Sequence, residues 1–406
     1  MDPRDVLLVL LACLFGISFV RAVHPSGLAR ILLVCALFCG YAFTSLAWSA
    51  IQLEDKWCMA YSMGLFLASI VYAYGLIIWT PIERLYPFVY QSTLALAAIS
   101  AIYTSDSLFT LGFRSAEYAR LDTDMRFMRV GGPLFTGSTG YFILAPAFVY
   151  LVGYVVAHKL SIASFAALTS LLAALIGLGS RGTVALGVVL LFLAIVKGKV
   201  KGRLLVAMLA VCALSALLLA VAFSNADLGR TVRMVDDARS SIHAYSFDII
   251  YSRDPSVTLF GSGYGSVWPW YRMDYFVSSK LRSATIDTAY QAIQGSTQLY
   301  HPHSLPLLFA VELGLVGAAF TVLLGYWVFR NLRWSEVSSE HQLWALGLAA
   351  STAALFFDLF LLYRPRQSVL WWMWLFVLIR LRKSPLRTRF VSIVKPGLIS
   401  PNEVHR

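Results

Sequence analysis

The amino-acid sequence predicts an all-α polytopic membrane protein. Three observations carry that prediction. Of the 406 residues, 59% are hydrophobic and only 13% charged, against roughly 25% charged in an ordinary soluble domain. Apolar runs close to the ~20 residues that cross a bilayer recur along nearly the whole chain. Lysine and arginine gather on alternate connections between those runs, as cytoplasmic loops do.

Eleven spans follow, near residues 6–20, 31–51, 58–79, 88–102, 142–156, 162–178, 184–196, 204–223, 305–329, 343–362 and 369–379, with a twelfth if a loop segment re-enters. The first is read as a retained helix, because no clear small-residue cleavage site precedes the second. With the basic tail in the cytoplasm, that side collects 17 Lys and Arg residues, while the short connections and terminus opposite hold 5. Two longer loops opposite hold 4 and 7, each matched by the same number of acids. The net charge of +12 is therefore mainly a topology signal, and nucleic acid is not an expected partner.

The expected organisation has four parts. Residues 1–223 form a bundle of eight spans with an outer loop at 103–141. Residues 224–302 form a large periplasmic loop. Three spans occupy 303–380, and 381–406 is a basic cytoplasmic tail. A loop as long as 224–302 is usually functional or disordered. This one carries Trp268, Trp270 and several tyrosines, so short helices at the membrane surface are expected. No internal repeat is legible, which argues against a transporter built on repeat symmetry. The five cysteines, at 13, 35, 39, 58 and 212, lie in or beside apolar runs. They form no C-x-x-C pair and read as small packing residues.

Four stretches carry residues with chemical potential. In HPHSLPLLFAVELGLVG (residues 301–317) two histidines end a polar segment where an apolar helix begins. Ser304 suits the helix N-cap. Gly314 and Gly317 are small residues at a spacing that lets another helix approach. Glu312 is an acid inside a span, a functional candidate by default. In GLGSRGTVALG (residues 177–187), Arg181 sits in a tight turn between two spans. Alone, it reads most simply as an arginine anchoring a helix end at the interface.

In the large loop, Arg239 and Arg253 precede a cluster of Gly261, Gly263 and Gly265. That spacing is not the dinucleotide fingerprint, and no βαβ unit leads into it, so it reads as a turn. Finally, Arg129 is followed by Gly131 and Gly132, just ahead of a span.

In order and placement these pieces resemble the O-antigen polymerase and O-antigen ligase family of bacterial membrane glycosyltransferases. The matching elements are Ser180-Arg181-Gly182 opening a span, Arg239 upstream of Gly261-Ser262-Gly263, and His303-Ser304 followed by nine residues and Gly314-x-x-Gly317. Arg129-Val130-Gly131-Gly132 matches the family's Arg-x-x-Gly element. The resemblance runs from about Arg129 to Gly317. Two departures stand out: Ser304 takes the place of a common Asn, and the asparagine often found after the Arg-x-x-Gly element is missing.

The resemblance implies transfer of a glycan from an undecaprenyl-diphosphate-linked donor to a sugar hydroxyl, at the periplasmic face of the bacterial inner membrane. Polysaccharide polymerase is the leading reading. A ligase that places the glycan on a lipid A core is the alternative. A hydroxyl is a weak nucleophile, and a neutral histidine is suited to take its proton. His303 is the candidate base. Arg181 and Arg239 are the candidates for the diphosphate, with Arg253 able to replace Arg239, because guanidinium gives paired donors of permanent charge. Arg129, His301 and Glu312 are further substrate-binding candidates. No cofactor and no metal are expected. The expected partners are the donor, the acceptor glycan or lipid A core, the lipid bilayer, and a chain-length regulator protein.

Blander readings compete at several of these positions. His301 and His303 as metal ligands lack an obvious third ligand, and His303 as a mere helix-start residue leaves the arginines unexplained. Asp358, inside the tenth span, reads as a structural partner of Arg364 or Arg366, with a proton-coupling site as the alternative, and Glu312 similarly either orients a neighbouring polar group or ties two helices. From other classes, a transporter of lipid-linked glycans and a non-catalytic scaffold remain the alternatives.

Overall fold

The computed structural model describes residues 27–49, 53–109, 139–157, 161–177, 254–266, 304–330 and 365–382, with Ala12 and short pieces at 243–251 and 344–363. Among the described residues all regular structure is helical. The principal elements are α1 (Gly27–Ser45), α2 (Leu53–Trp79), α3 (Ile82–Phe109), α4 (Thr139–Ala157), α5 (Ile162–Gly177), α6 (Pro255–Phe260), α7 (Leu305–Phe329), α8 (Phe360–Tyr363) and α9 (Pro365–Arg382). The expected spans 6–20, 184–196 and 204–223 and Asp358 lie outside the described residues or nearly so.

By length and composition, four stretches are long and apolar enough to cross a membrane: Leu28–Ser45, Lys56–Trp79, Ile82–Ser105 and Leu305–Val328. Phe142–Val155, Ile162–Leu175 and Ser368–Leu381 are shorter apolar helices. The protein is an α-helical bundle with the composition of a membrane protein. α3 stays helical to Phe109, past the point where the sequence suggested an outer loop beginning near residue 103. α1 ends at Ser45 and gives way to a turn, short of the expected end at residue 51.

The outward faces fit a lipid environment. On α1, Leu33 and Leu37 are exposed, and on α7 so are Leu315, Val322 and Leu323. Trp57 and Trp79, near the two ends of α2, are also exposed. Their separation of about 33 Å along the helix axis matches a hydrocarbon core of ~30 Å with an aromatic residue at each boundary.

The core is organised around α2 and α9, which run parallel. Ser69 Oγ lies 3.2 Å from Ser368 Oγ. Farther along, Tyr74 meets Phe376 edge-to-face. At the end of α2, the Arg380 guanidinium donates to the carbonyl oxygens of Ile77 and Thr80, the latter at 2.6 Å. Residue numbers rise together on both helices, so the two run in the same direction. Arg380 also satisfies carbonyls that a helix C-terminus leaves without intrahelical donors. On α9, Trp371, Trp372 and Trp374 are all buried, and Trp371 donates to Ser351 Oγ at 3.1 Å.

α3, α4 and α5 form a second group. Tyr90 stacks on Tyr154 with 4.5 Å between centroids, and its hydroxyl lies 3.5 Å from Ser164 Oγ. The N-terminal third of α3 therefore sits beside the C-terminal part of α4 and the start of α5. Cys35 and Cys39 are free thiols buried in α1, in keeping with a packing role.

α7 departs most from expectation. The sequence suggests one continuous span over 305–329. In the structure Gly314 adopts φ 61° and ψ −145° inside it, and the helix breaks into two limbs. In a straight helix Phe309 and Phe320 would stand about 16 Å apart along the axis. Their ring centroids are 6.0 Å apart, so the second limb folds back on the first. Gly317 packs against the main-chain oxygen of Phe309, where a Cβ would come within 2.3 Å. The Gly-x-x-Gly pair thus serves a sharp reversal within one segment. The reason is steric: Gly314 supplies a left-handed backbone that side chains disfavour, and Gly317 leaves room for the returning limb.

Candidate functional site at the glycine turn and the broken helix

Of the residues singled out for chemistry, Glu312 is the one the structure describes. His301, His303, Arg129, Arg181, Arg239 and Arg253 lie outside the described residues. What the structure does define is the frame directly adjoining two of them in the chain. Asp254 follows Arg253, and Ser304 follows His303.

The first half of that frame is α6 and its exit. Asp254 caps α6: its Oδ1 accepts the Ser256 N–H at 2.8 Å and the Ser256 hydroxyl at 2.7 Å. These bonds, the side-chain one first, hold the Asp254 carboxyl below the usual carboxylate range. Pro255 follows the cap, a favoured position because its missing N–H would have no helical partner. α6 then ends as the Gly261 N–H returns to Val257 O at 2.7 Å.

Gly261, Gly263 and Gly265 all have positive φ, at 76°, 94° and 76°. The sequence reading of a turn is correct, and the spacing has a steric cause. A Cβ on Gly261 would fall 2.1 Å from Glu312 O, and one on Gly263 2.6 Å from Ser49 Cα. The turn is pressed backbone-to-backbone into α7 and the residues that end α1.

Hydrogen bonds fix it there from two sides. From the α1 side, Ser45 Oγ accepts the Tyr264 N–H at 3.0 Å, Ser49 Oγ donates to Tyr264 O at 3.1 Å, and the Tyr41 hydroxyl donates to Phe260 O at 2.7 Å. From the α7 side, Glu312 O accepts the Gly263 N–H at 2.9 Å, and the Glu312 carboxylate accepts the Gly265 N–H, also at 2.9 Å. The Ser262 hydroxyl reaches Val311 O at 3.3 Å. Glu312 is fully buried, and the Gly265 N–H offsets part of the water its side chain gives up.

The second half of the frame is the start of α7. Ser304 is extended, and its Oγ accepts the Leu307 N–H at 3.4 Å, the cap the sequence suggests. Nine residues of helix then lead to the break at Gly314. There Gly314 approaches Gly261 N and Leu259 O so closely that a Cβ would meet them at 2.5 and 2.6 Å.

Tyr41, Ser45 and Ser49 were invisible as site residues in the sequence. A serine or tyrosine in an apolar helix carries no spacing signal, and their partners lie more than 200 residues away. Among the described residues, no group of three or more His, Cys, Asp or Glu could hold a metal ion.

No protein-family model matches the chain, and neither a curated protein nor a solved structure matches it.

Proposed function

We propose that the protein is a membrane glycosyltransferase that moves a glycan from a polyprenyl diphosphate donor to a sugar hydroxyl, acting as a polysaccharide polymerase at the outer face of a bacterial inner membrane. The reading rests on the resemblance of four sequence elements to the O-antigen polymerase and ligase family. One structural observation favours it: two of those elements, far apart in the chain, belong to a single joint. The Gly261-Ser262-Gly263 element is hydrogen-bonded to the segment that links His303-Ser304 to Gly314-x-x-Gly317. Elements that function together should be built together.

In this reading His303 accepts the proton of the acceptor hydroxyl as its oxygen bonds to the anomeric carbon of the donor sugar. The bond from that carbon to the diphosphate oxygen breaks, and the lipid diphosphate leaves with the electron pair. Arg181 and Arg239, or Arg253 in place of Arg239, offset the charge growing on the leaving group. In this reading the site, the large loop and the N-terminus face the periplasm, and eleven or twelve spans lie in the bilayer, the ninth bent at Gly314 into two limbs.

The ligase remains the second reading, favoured by the His-Ser, nine-residue, Gly-x-x-Gly pattern itself. Broken helices also occur in transporters, near the bilayer midplane. Here the break adjoins the glycine turn, which is bonded to Ser45 and Ser49 at the end of α1 rather than its middle.

Deletion of the gene, with surface glycans resolved on a gel, tests the proposal. Loss of a polymerase leaves single repeat units on the lipid A core, whereas loss of a ligase leaves a bare core and lipid-linked polymer. His303→Ala and Arg181→Ala, at normal protein levels, should reproduce the deletion. Unchanged O-antigen and exopolysaccharide would defeat the transferase reading.

A further inference from the structure

We propose that Glu312 is a positioning residue that clasps the glycine turn of the large loop to the helix following His303. It thereby holds the chain neighbourhoods of Arg253 and His303 on one scaffold. The clasp stands on geometry alone; its consequence for transfer rests on the function proposed above.

Glu312 makes two bonds to one turn. Its main-chain oxygen takes the Gly263 N–H and its carboxylate the Gly265 N–H, each at 2.9 Å. One bond fixes a distance, whereas two from the same residue also fix orientation. The side chain is fully buried, and removing one partner of a buried hydrogen bond leaves the other unsatisfied. The side chain therefore reads as a strut between loop and helix.

The strut has leverage in both directions. Toward Arg253, the piece from Asp254 to Ser266 is tied internally by the Asp254 cap, the return of Gly261 N–H to Val257 O, and the Ser262–Ser266 hydroxyl contact at 2.6 Å. Toward His303, α7 runs without a break back to the Ser304 cap. Both pieces meet at Gly261 and Gly314. Without the Glu312 carboxylate the turn would keep its Gly263 and Ser262 bonds to the α7 main chain and its ties to Ser45, Ser49 and Tyr41, but would lose the anchor at Gly265.

Hydrogen exchange on the full chain in nanodiscs, read over residues 254–266 and over α4, tests this. Glu312→Met keeps length but removes the acceptor, and Glu312→Gln keeps an acceptor oxygen. The Met variant should exchange the Gly265 amide about tenfold faster or more with α4 unchanged, and the Gln variant within about threefold of the wild type. Wild-type exchange in the Met variant, or an equal rise in α4, would overturn the clasp. If the Met variant does not accumulate, Glu312→Asp, with the carboxylate drawn back by one methylene, should give faster exchange confined to the turn, and a wild-type rate there overturns the proposal. Glycan assembly in the same cells separates the two readings. A loosened turn with normal glycans upholds the clasp and removes its link to transfer. A loosened turn with shortened glycans supports both.

Discussion

The rings of Phe38 and Phe320 lie stacked, 3.8 Å between centroids and 7° from parallel. Phe38 also meets Phe309 edge-to-face at 4.8 Å. One α1 side chain therefore contacts both limbs of the broken helix and acts as a wedge against which they close. Phe38→Ala should cost about 3–5 kcal/mol, and Phe38→Leu clearly less. Unfolding of the purified protein in mixed micelles would show this as a lower midpoint. An unmoved midpoint for the Ala variant would mean the wedge carries no weight.

The glycines of α7 and α1 should behave in opposite ways. Gly314→Ala places a Cβ 2.5 Å from main-chain atoms at a φ of 61°. Both clash and backbone preference oppose it, so the variant should accumulate poorly or lose the α6–α7 contact. Gly40→Ala meets nothing within 4 Å on α1 and should be neutral or stabilising by up to about 1 kcal/mol. Expression level and unfolding midpoint, measured side by side, decide the contrast.

Arg380 is expected to matter for its donors as well as its charge. Arg380→Met keeps an apolar stem but removes the bonds to the Ile77 and Thr80 carbonyls. The loss should be about 2 kcal/mol, in the range for hydrogen bonds involving a charged group. Arg380→Lys should recover part of it, because a lysine reaches as a single point charge. Equal stability of Met and Lys variants would argue against capping.

The Asp254 cap should be acid-sensitive. Its carboxyl is held below the usual range by the Ser256 hydroxyl and N–H. A depressed folded value means its stabilisation is complete above the unfolded value of about 3.9 and fades as pH falls through the lower folded value. Protection of the α6 amides, corrected for intrinsic exchange, should therefore hold at about pH 5 and drop in the acid range below about pH 4. Asp254→Asn, which caps without titrating, should flatten that profile.

The helices were legible because apolar runs of bilayer length leave few other options. The glycine turn was legible too, since three glycines in alternate positions have little use except positive φ. The reversal at Gly314 was not. The residues around it, Val311 to Phe320, are nearly as apolar as a continuous span, and Gly-x-x-Gly serves equally well for helix contact and for a hinge. The choice is made by the glycine turn, which supplies an N–H donor to the Glu312 carboxylate from 47 residues away. Ser304 at the α7 cap followed from sequence because capping is local. Tyr41, Ser45 and Ser49 did not, because their role exists only once the loop has returned to α1.

The pairing of α2 with α9 sets a schedule for biogenesis. Ser69 waits for Ser368, 299 residues later, which at ordinary elongation rates of about 5–20 residues per second is roughly 15 to 60 seconds. During that interval the face of α2 destined for the tryptophans of α9 must be sheltered by lipid, by the insertion machinery or by another helix. A ribosome that stops before the last helix would release a chain whose third expected span has no mate, a natural signal for a membrane protease.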